Sequence, residues 1–178
     1  MEITSSRGRI TLRPVATADA EALRQLRLEA LQRHPEVYGS DYESQVLEPA
    51  EYWQRRVDRT LGSDQEALFV AEGAGELIGM TGIFRDHGIK VRHCATIVAV
   101  YVRAEWRGNR ITDGLIGQCL AWAGEHGVLR VRVAVITSNA SAIRCYARCG
   151  FQVYGVEPAV IFNDGVYYDE LLMGRSVD

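Results

Sequence analysis

The chain is poor in lysine, proline and cysteine, and it has no long apolar run. Of its 20 basic residues 19 are arginine, Lys90 being the sole lysine, and 4 prolines are spread over 178 residues. The four cysteines, Cys94, Cys119, Cys145 and Cys149, form no CxxC pair and no Cys/His zinc spacing. That excludes a disulfide framework or zinc module and leaves reduced, buried thiols as the expectation, with no metal site. The longest apolar stretch, Cys94–Val102, is about half of the roughly 18–20 residues that a bilayer crossing requires. The opening MEITSSRGRITLR offers no apolar core for a signal peptide, so a cytoplasmic location and no membrane partner are expected. Net charge is −3, from 20 basic and 23 acidic residues, too mild to argue for nucleic acid.

What is present is the composition of an ordinary globular domain, 47% hydrophobic and 24% charged. No repeat or linker divides the chain, and a single domain over 8–176 is expected. Arg9–Arg13 reads as a strand, followed by a helix capped by Thr17, with Leu23, Leu26, Ala30 and Leu31 on one face, ending at His34–Pro35. Glu36–Leu47 lacks periodicity, and Pro49 opens a second helix reaching about Leu61. Ala67–Glu72 and Leu77–Arg85 flank a Gly73–Gly75 turn as a hairpin. His93–Arg103 is apolar on both faces and reads as a central strand covered on both sides. A helix from Thr112 to His126, a strand Leu129–Thr137, a helix Ala140–Arg148 and closing strands Phe151–Gly155 and Val166–Met173 complete a mixed α/β order.

Chemistry concentrates where the central strand runs through Arg107-Gly108-Asn109-Arg110-Ile111-Thr112 into a helix. A helix N-terminus offers free N–H groups and a positive dipole end, so it is a natural anion site. Gly108 permits close backbone approach, and Arg107 and Arg110 add charge suited to phosphate. The loop lacks the Lys-Ser/Thr of a nucleotide-hydrolysing P-loop and is no dinucleotide GxGxxG. A second strand–helix junction follows, in which Ser138-Asn139 opens the helix carrying Tyr146 before Gly150-Phe151.

Together, in this order and spacing, these two segments resemble the GNAT superfamily of acetyl-CoA-dependent N-acetyltransferases. Arg107–Thr112 matches its Q/R-x-x-G-x-G/A pyrophosphate loop, and Asn139, Ala142, Tyr146, Gly150 and Phe151 fall in register with N-x-x-A-x-x-x-Y-x-x-x-G-F. Arg110 and Thr112 depart from the pattern, standing where it has small residues. A helix start with negative φ accommodates both.

The resemblance implies a mixed, mostly antiparallel central sheet, splayed between two strands, with helices on both faces. It also implies acetyl-CoA as co-substrate, held by Val100, Tyr101, Val102, Arg107, Gly108, Asn109, Arg110, Ile111, Thr112, Asn139, Ala142 and Tyr146. A backbone N–H in Val100–Val102 would polarise the thioester. Transfer would go directly to a primary amine of a small molecule or a protein N-terminus, in a ternary complex. Tyr146 is the implied general acid. The base is open among His93, Asp169, Glu170 and a water chain, because the central strand holds no carboxylate. Tyr38, Asp41, Tyr42, Glu43, Trp53, Glu157, Tyr167 and Tyr168 are the residues available to a cationic acceptor. A homodimer fits the resemblance. The missing carboxylate also admits a non-catalytic, CoA-binding regulatory module.

Overall fold

The structure, a computed structural model, describes residues 1–177. Its strands are β1 (Glu2–Ser5), β2 (Gly8–Pro14), β3 (Glu66–Gly73), β4 (Glu76–Arg85), β5 (Cys94–Val102), β6 (Arg130–Ile136), β7 (Gln152–Asn163) and β8 (Val166–Ser176). They form one sheet in the order β1-β2-β3-β4-β5-β6-β8-β7. Every neighbouring pair is antiparallel except β5 with β6. The helices are α1 (Ala20–Arg33), α2 (Tyr42–Val46), α3 (Ala50–Asp58), α4 (Ile111–Glu125) and α5 (Ala140–Arg148). Among the described residues no helix is long and apolar enough to cross a membrane.

The central strands divide their side chains between two cores because alternate residues point to opposite faces. In β3, Leu68 and Val70 pack with Leu23, Leu26, Ala30 and Val57 beneath α1 and α3. Ala67, Phe69 and Ala71 join Leu115, Ile116, Cys119 and Trp122 of α4 on the other face. Five consecutive residues of β3, Ala67–Ala71, are buried, which is why this strand carries no polar face.

Four features differ from the sequence expectation. The strand β1 is additional; it is a polar edge strand whose register is set by pairing with β2. Thr17 does not cap α1. Asp19 stands at the N-cap with no side-chain bond to the helix; its carboxylate instead accepts the Ala16 N–H at 2.7 Å and two bonds from Arg13 at 2.6 and 2.9 Å. β7 continues past Gly155 to Asn163, tolerating Pro158 because it is the sheet's outer edge. A bulge between Glu157 and Ile161 absorbs the proline, with Ala159 at φ 54° and its N–H donated to Asp169 Oδ1 at 2.8 Å.

The splay that the resemblance implies is present, and the fourth difference is the bulge in β5 that shapes it. β5 is not covered along its length. It pairs with β6 only from Cys94↔Arg130 to Thr96↔Arg132 and then leaves it. On its other side Gly82↔Val98 is followed by Met80↔Tyr101, so three residues of β5 oppose two of β4. The extra residue is Ala99, at φ 54°. This bulge reverses the alternation, sending Ile97 into the α4 core but Tyr101 into the α1 core. Bulges bend and re-aim a strand, and here the bend opens a gap between Val98–Val102 and the end of β6.

Candidate active site

The gap is a cleft of about 730 Å³. Its walls are Val100–Val102 of β5, Ala134–Ile136 of β6, the loop Arg107–Gly108–Arg110, the first turn of α4, and Asn139, Ala142, Cys145 and Tyr146 at the start of α5. The connection after α1 closes one side with His34, Glu36 and Tyr38.

At the mouth, α4 begins without a side-chain cap, and its first intrahelical backbone bond at this end is Gly114 N–H to the Arg110 carbonyl. The N–H groups of Ile111, Thr112 and Asp113 are therefore left for an anion. Gly108 lies at φ 86° with open space where a Cβ would point, so ligand atoms can reach the backbone. Arg110 occupies the left-handed region at φ 56°, ψ 25°. That corrects the expectation of negative φ here, and it gives a reason for a small residue at this position, since a non-glycine side chain there costs on the order of 1 kcal/mol or more. Arg110 is exposed, and its guanidinium makes no hydrogen bond to the described residues.

Other predicted binding residues have protein partners. Arg107 lines the cleft, but its Nε donates to the Val102 carbonyl at 3.0 Å and its Nη2 lies 3.1 Å from His34 Nε2. An arginine only donates, so this His34 nitrogen accepts and the ring proton sits on Nδ1, which is 3.9 Å from Glu36. Asn109 turns its amide back to the Trp106 carbonyl at 3.0 Å, and it shapes the loop without facing the cleft. Asn139 caps α5, its Oδ1 accepting the Ala142 N–H at 3.1 Å.

Tyr146 projects from α5 into the cleft and is 5% exposed, its ring 6.1 Å from that of Phe151. Burial pushes its hydroxyl well above the usual tyrosine range, so it holds its proton throughout physiological pH. Tyr38 donates its hydroxyl to the Val100 carbonyl at 3.0 Å. Burial pushes the Tyr38 hydroxyl up to about 12, and the Arg27 guanidinium stacks 4.6 Å from its ring. Two side chains from separate elements, Tyr38 and Arg107, thus hold the carbonyls of Val100 and Val102 where β5 has lost its neighbour.

The base candidates read from sequence do not reach this place. His93 is exposed and precedes the opposite end of β5, roughly 20 Å of strand from Val100. Asp169 is occupied with the β7 bulge. Glu170 faces Glu157 across the β7–β8 pair and is not among the cleft walls. Burial, with the Glu157 charge, raises its carboxyl above the ordinary range. Of the acceptor-side residues only Tyr38 lines the cleft. Trp53 is a core residue at 1% exposure, and Asp41 caps α2 by accepting the Ser44 N–H. Tyr167 packs on Phe162 in the exposed hairpin.

His34 and Glu36 were missed by sequence reasoning. The only signal was the His-Pro pair, which reads as a helix stop and says nothing of what lies opposite it.

A mostly antiparallel sheet, opened at its parallel pair, with an uncapped helix N-terminus at the opening, defines the class: an acyltransferase. The chain belongs to the acetyltransferase (GNAT) family, which matches residues 22–151. It is 29% identical over 171 residues to the L-amino acid N-acetyltransferase AaaT of Escherichia coli, covering 93% of this chain and 97% of that protein. Among solved structures it resembles the GNAT acetyltransferase of Streptococcus pneumoniae, with TM-score 0.84 at 22% identity over 95% of this chain and 99% of that one. It also resembles a phosphinothricin acetyltransferase from Sinorhizobium meliloti in complex with acetyl-CoA, with TM-score 0.80 at 19% identity over 94% and 88%.

Proposed function

We propose that the protein transfers the acetyl group of acetyl-CoA directly to the primary amine of a small, amino-acid-sized acceptor, within a ternary complex. The observation that carries this reading is the departure of β5 from β6 after Thr96, which bares a strand edge beside the uncapped N-terminus of α4. The acceptor class follows the E. coli relative, whose name gives L-amino acids as its substrates.

Acetyl-CoA supplies a thioester whose carbonyl carbon the amine attacks. The residues present fit such a ligand: free N–H groups at Ile111–Asp113, the bare backbone of Gly108 and the uncommitted guanidinium of Arg110 take a pyrophosphate. The edge of Val100–Val102 accepts the extended arm as an added strand, and a backbone N–H there donates to the carbonyl oxygen as its charge grows. The Glu36 carboxylate on the cleft wall takes the proton that the ammonium must lose, through water. Tyr146, kept protonated by burial, delivers a proton to the departing thiolate. Cys145 is the thiol on the cleft wall, and it is held 3.5 Å from Asp113 Oδ2 with no histidine partner, so no acyl-enzyme is needed.

Release of CoA in the presence of acetyl-CoA and a panel of free amino acids, polyamines and peptides tests the reading. Expected are intersecting lines in two-substrate kinetics and turnover confined to small α-amines. Tight acetyl-CoA binding without release across the panel would overturn it in favour of a regulatory binding module. Tyr146→Phe should bind acetyl-CoA normally while kcat falls by about 10²–10⁴, the range of general acid catalysis. Undiminished kcat would remove Tyr146 from the mechanism.

A homodimer joined through the β7–β8 hairpin belongs to the same proposal. The outer strand of that hairpin and its partner expose Tyr154, Val156, Phe162 and Tyr167 by 53–66%, an apolar edge of the kind that soluble proteins otherwise charge or cover. Sedimentation of the wild type against Phe162→Glu checks it, a monomer in both being the contrary result.

A further inference from the structure

Cys145 and Cys149 are one turn apart on α5 and so share a face. The sequence offers them no further ligand, but the fold does. Asp113, in the first turn of α4, meets them from the neighbouring helix, with its Oδ2 3.5 Å from Cys145 Sγ. One donor atom from each of the three residues lies within 4.8 Å of the others.

We propose that Asp113, Cys145 and Cys149 form a binding site for a thiophilic divalent cation of the zinc type. A tetrahedral centre with bonds of about 2.3 Å to sulfur and 2.0–2.2 Å to oxygen separates its ligand atoms by roughly 3.5–3.8 Å. The observed thiol–carboxylate separation already has that value, so small rotations of side chains complete the set. Two sulfurs and one carboxylate select zinc, cadmium or cobalt over magnesium or calcium, whose sites are built from oxygen.

The surroundings favour this assignment. Arg148 donates to both oxygens of Asp113, at 3.2 and 3.1 Å, which fixes the carboxylate as an outer partner does in metal centres. Two thiolates and a carboxylate carry three negative charges, a divalent cation leaves one, and Arg148 cancels it. Arg175 Nη1 donates to the Cys149 carbonyl at 2.6 Å, pinning the end of α5. Cys145 is buried, whereas Cys149 and Asp113 are half-buried, so an ion can enter without unfolding. The fourth position falls to water. Binding forms two metal–sulfur bonds and one metal–oxygen bond, sends two thiol protons to solvent and moves no electrons.

The test is titration of the full-length, reduced protein with Co²⁺ alone. Expected are one equivalent bound, a thiolate-to-cobalt charge-transfer band, visible d–d absorption of a tetrahedral ion, about two protons released, and displacement of the ion by Zn²⁺. Cys149→Ser, at a half-buried position, should abolish the charge-transfer band with the unfolding midpoint unchanged. Cys94→Ser, on β5 away from the cluster, should keep it. Arg148→Gln should weaken binding by about 10–100-fold without removing the band. Absence of the band at stoichiometric Co²⁺, or its survival in Cys149→Ser, would overturn the site. None of these readouts depends on acetyl transfer, so the outcome is separate from that of the enzymatic reading.

Discussion

Two glycines of α4, three residues apart, should respond oppositely to the same substitution. At Gly117 an added Cβ meets nothing within 4 Å. At Gly114 it would lie 2.3 Å from Leu12 Cδ1 and 2.5 Å from Met1 Cε. Both positions gain from alanine the same helix-propensity term, about 1 kcal/mol. Gly114→Ala alone must also displace the ends of the Leu12 and Met1 side chains. Leu12 is 1% exposed, and its backbone is tied to Met1 in both directions, at 2.7 and 2.9 Å, so relief must come from its side chain, inside a packed core. Overpacking of this kind costs about 1–3 kcal/mol.

Gly117→Ala should therefore be more stable by about 1 kcal/mol, and Gly114→Ala neutral to about 2 kcal/mol less stable. The difference between the two variants isolates the clash. For a chain of this size 1 kcal/mol moves Tm by about 2–4 °C, so the pair should separate by several degrees in thermal unfolding and in urea midpoint, at unchanged m-value. Equal shifts of the same sign would refute the tight contact of Gly114 with the Leu12 and Met1 side chains.

Asn139→Ala removes the cap of α5 and should lower stability by about 1 kcal/mol in urea unfolding; an unchanged midpoint would mean the cap is replaced. The Asp19 carboxyl is held below its usual range, first by the Arg13 hydrogen bonds and also by the Ala16 N–H. Its folded pKa is thus lower than its unfolded one, so the stability it contributes is present above about pH 4 and lost as pH falls through the folded value. Asp19→Asn should flatten the acid limb of the stability–pH curve, and a curve parallel to wild type would contradict that. Glu170 works in the opposite sense, its carboxyl being raised by burial and by Glu157. Glu170→Gln should stabilise the protein near pH 7, and this gain should vanish by about pH 4 as both carboxyls protonate. Arg110→Ala should weaken acetyl-CoA binding, measured by calorimetry, and lower the salt dependence of that binding; equal affinity at low and high salt would leave Arg110 without a phosphate role.

Local chemistry and periodicity account for most of the elements. The alternation in β2, the continuous apolar runs of β3 and β4, the helical repeat of Leu23, Leu26 and Ala30, and the glycine exits at Gly127 and Gly150 depend on neighbours in the chain. The strand–loop–helix at Arg107–Thr112 depends on them too. That is why the elements and the anion-binding turn are legible in the order of amino acids alone, and why that order also sets Tyr146 on a helix following a strand.

The lysine-poor, arginine-rich composition assigned no task to any particular arginine. The fold separates them: Arg107 braces Val102 and His34, Arg148 braces Asp113, and Arg110 lines the cleft with no partner among the described residues.

The open gap was implied by the family resemblance, but its physical origin was not legible. It rests on one extra residue, Ala99, in a conformation that nothing about an alanine announces, and on β6 pairing with only three residues of β5. His34, Glu36 and Tyr38 enter the site from more than 60 residues upstream, as the 62-residue separation of Tyr38 from Val100 illustrates. Asp113 reaches the two cysteines in the same way, over 32 residues to Cys145. Sequence determined which segments are strands and helices, because backbone preference and burial periodicity are short-range. Which side chains meet was decided by tertiary structure, because packing two helical layers onto a bent sheet brings together residues that share no local signal.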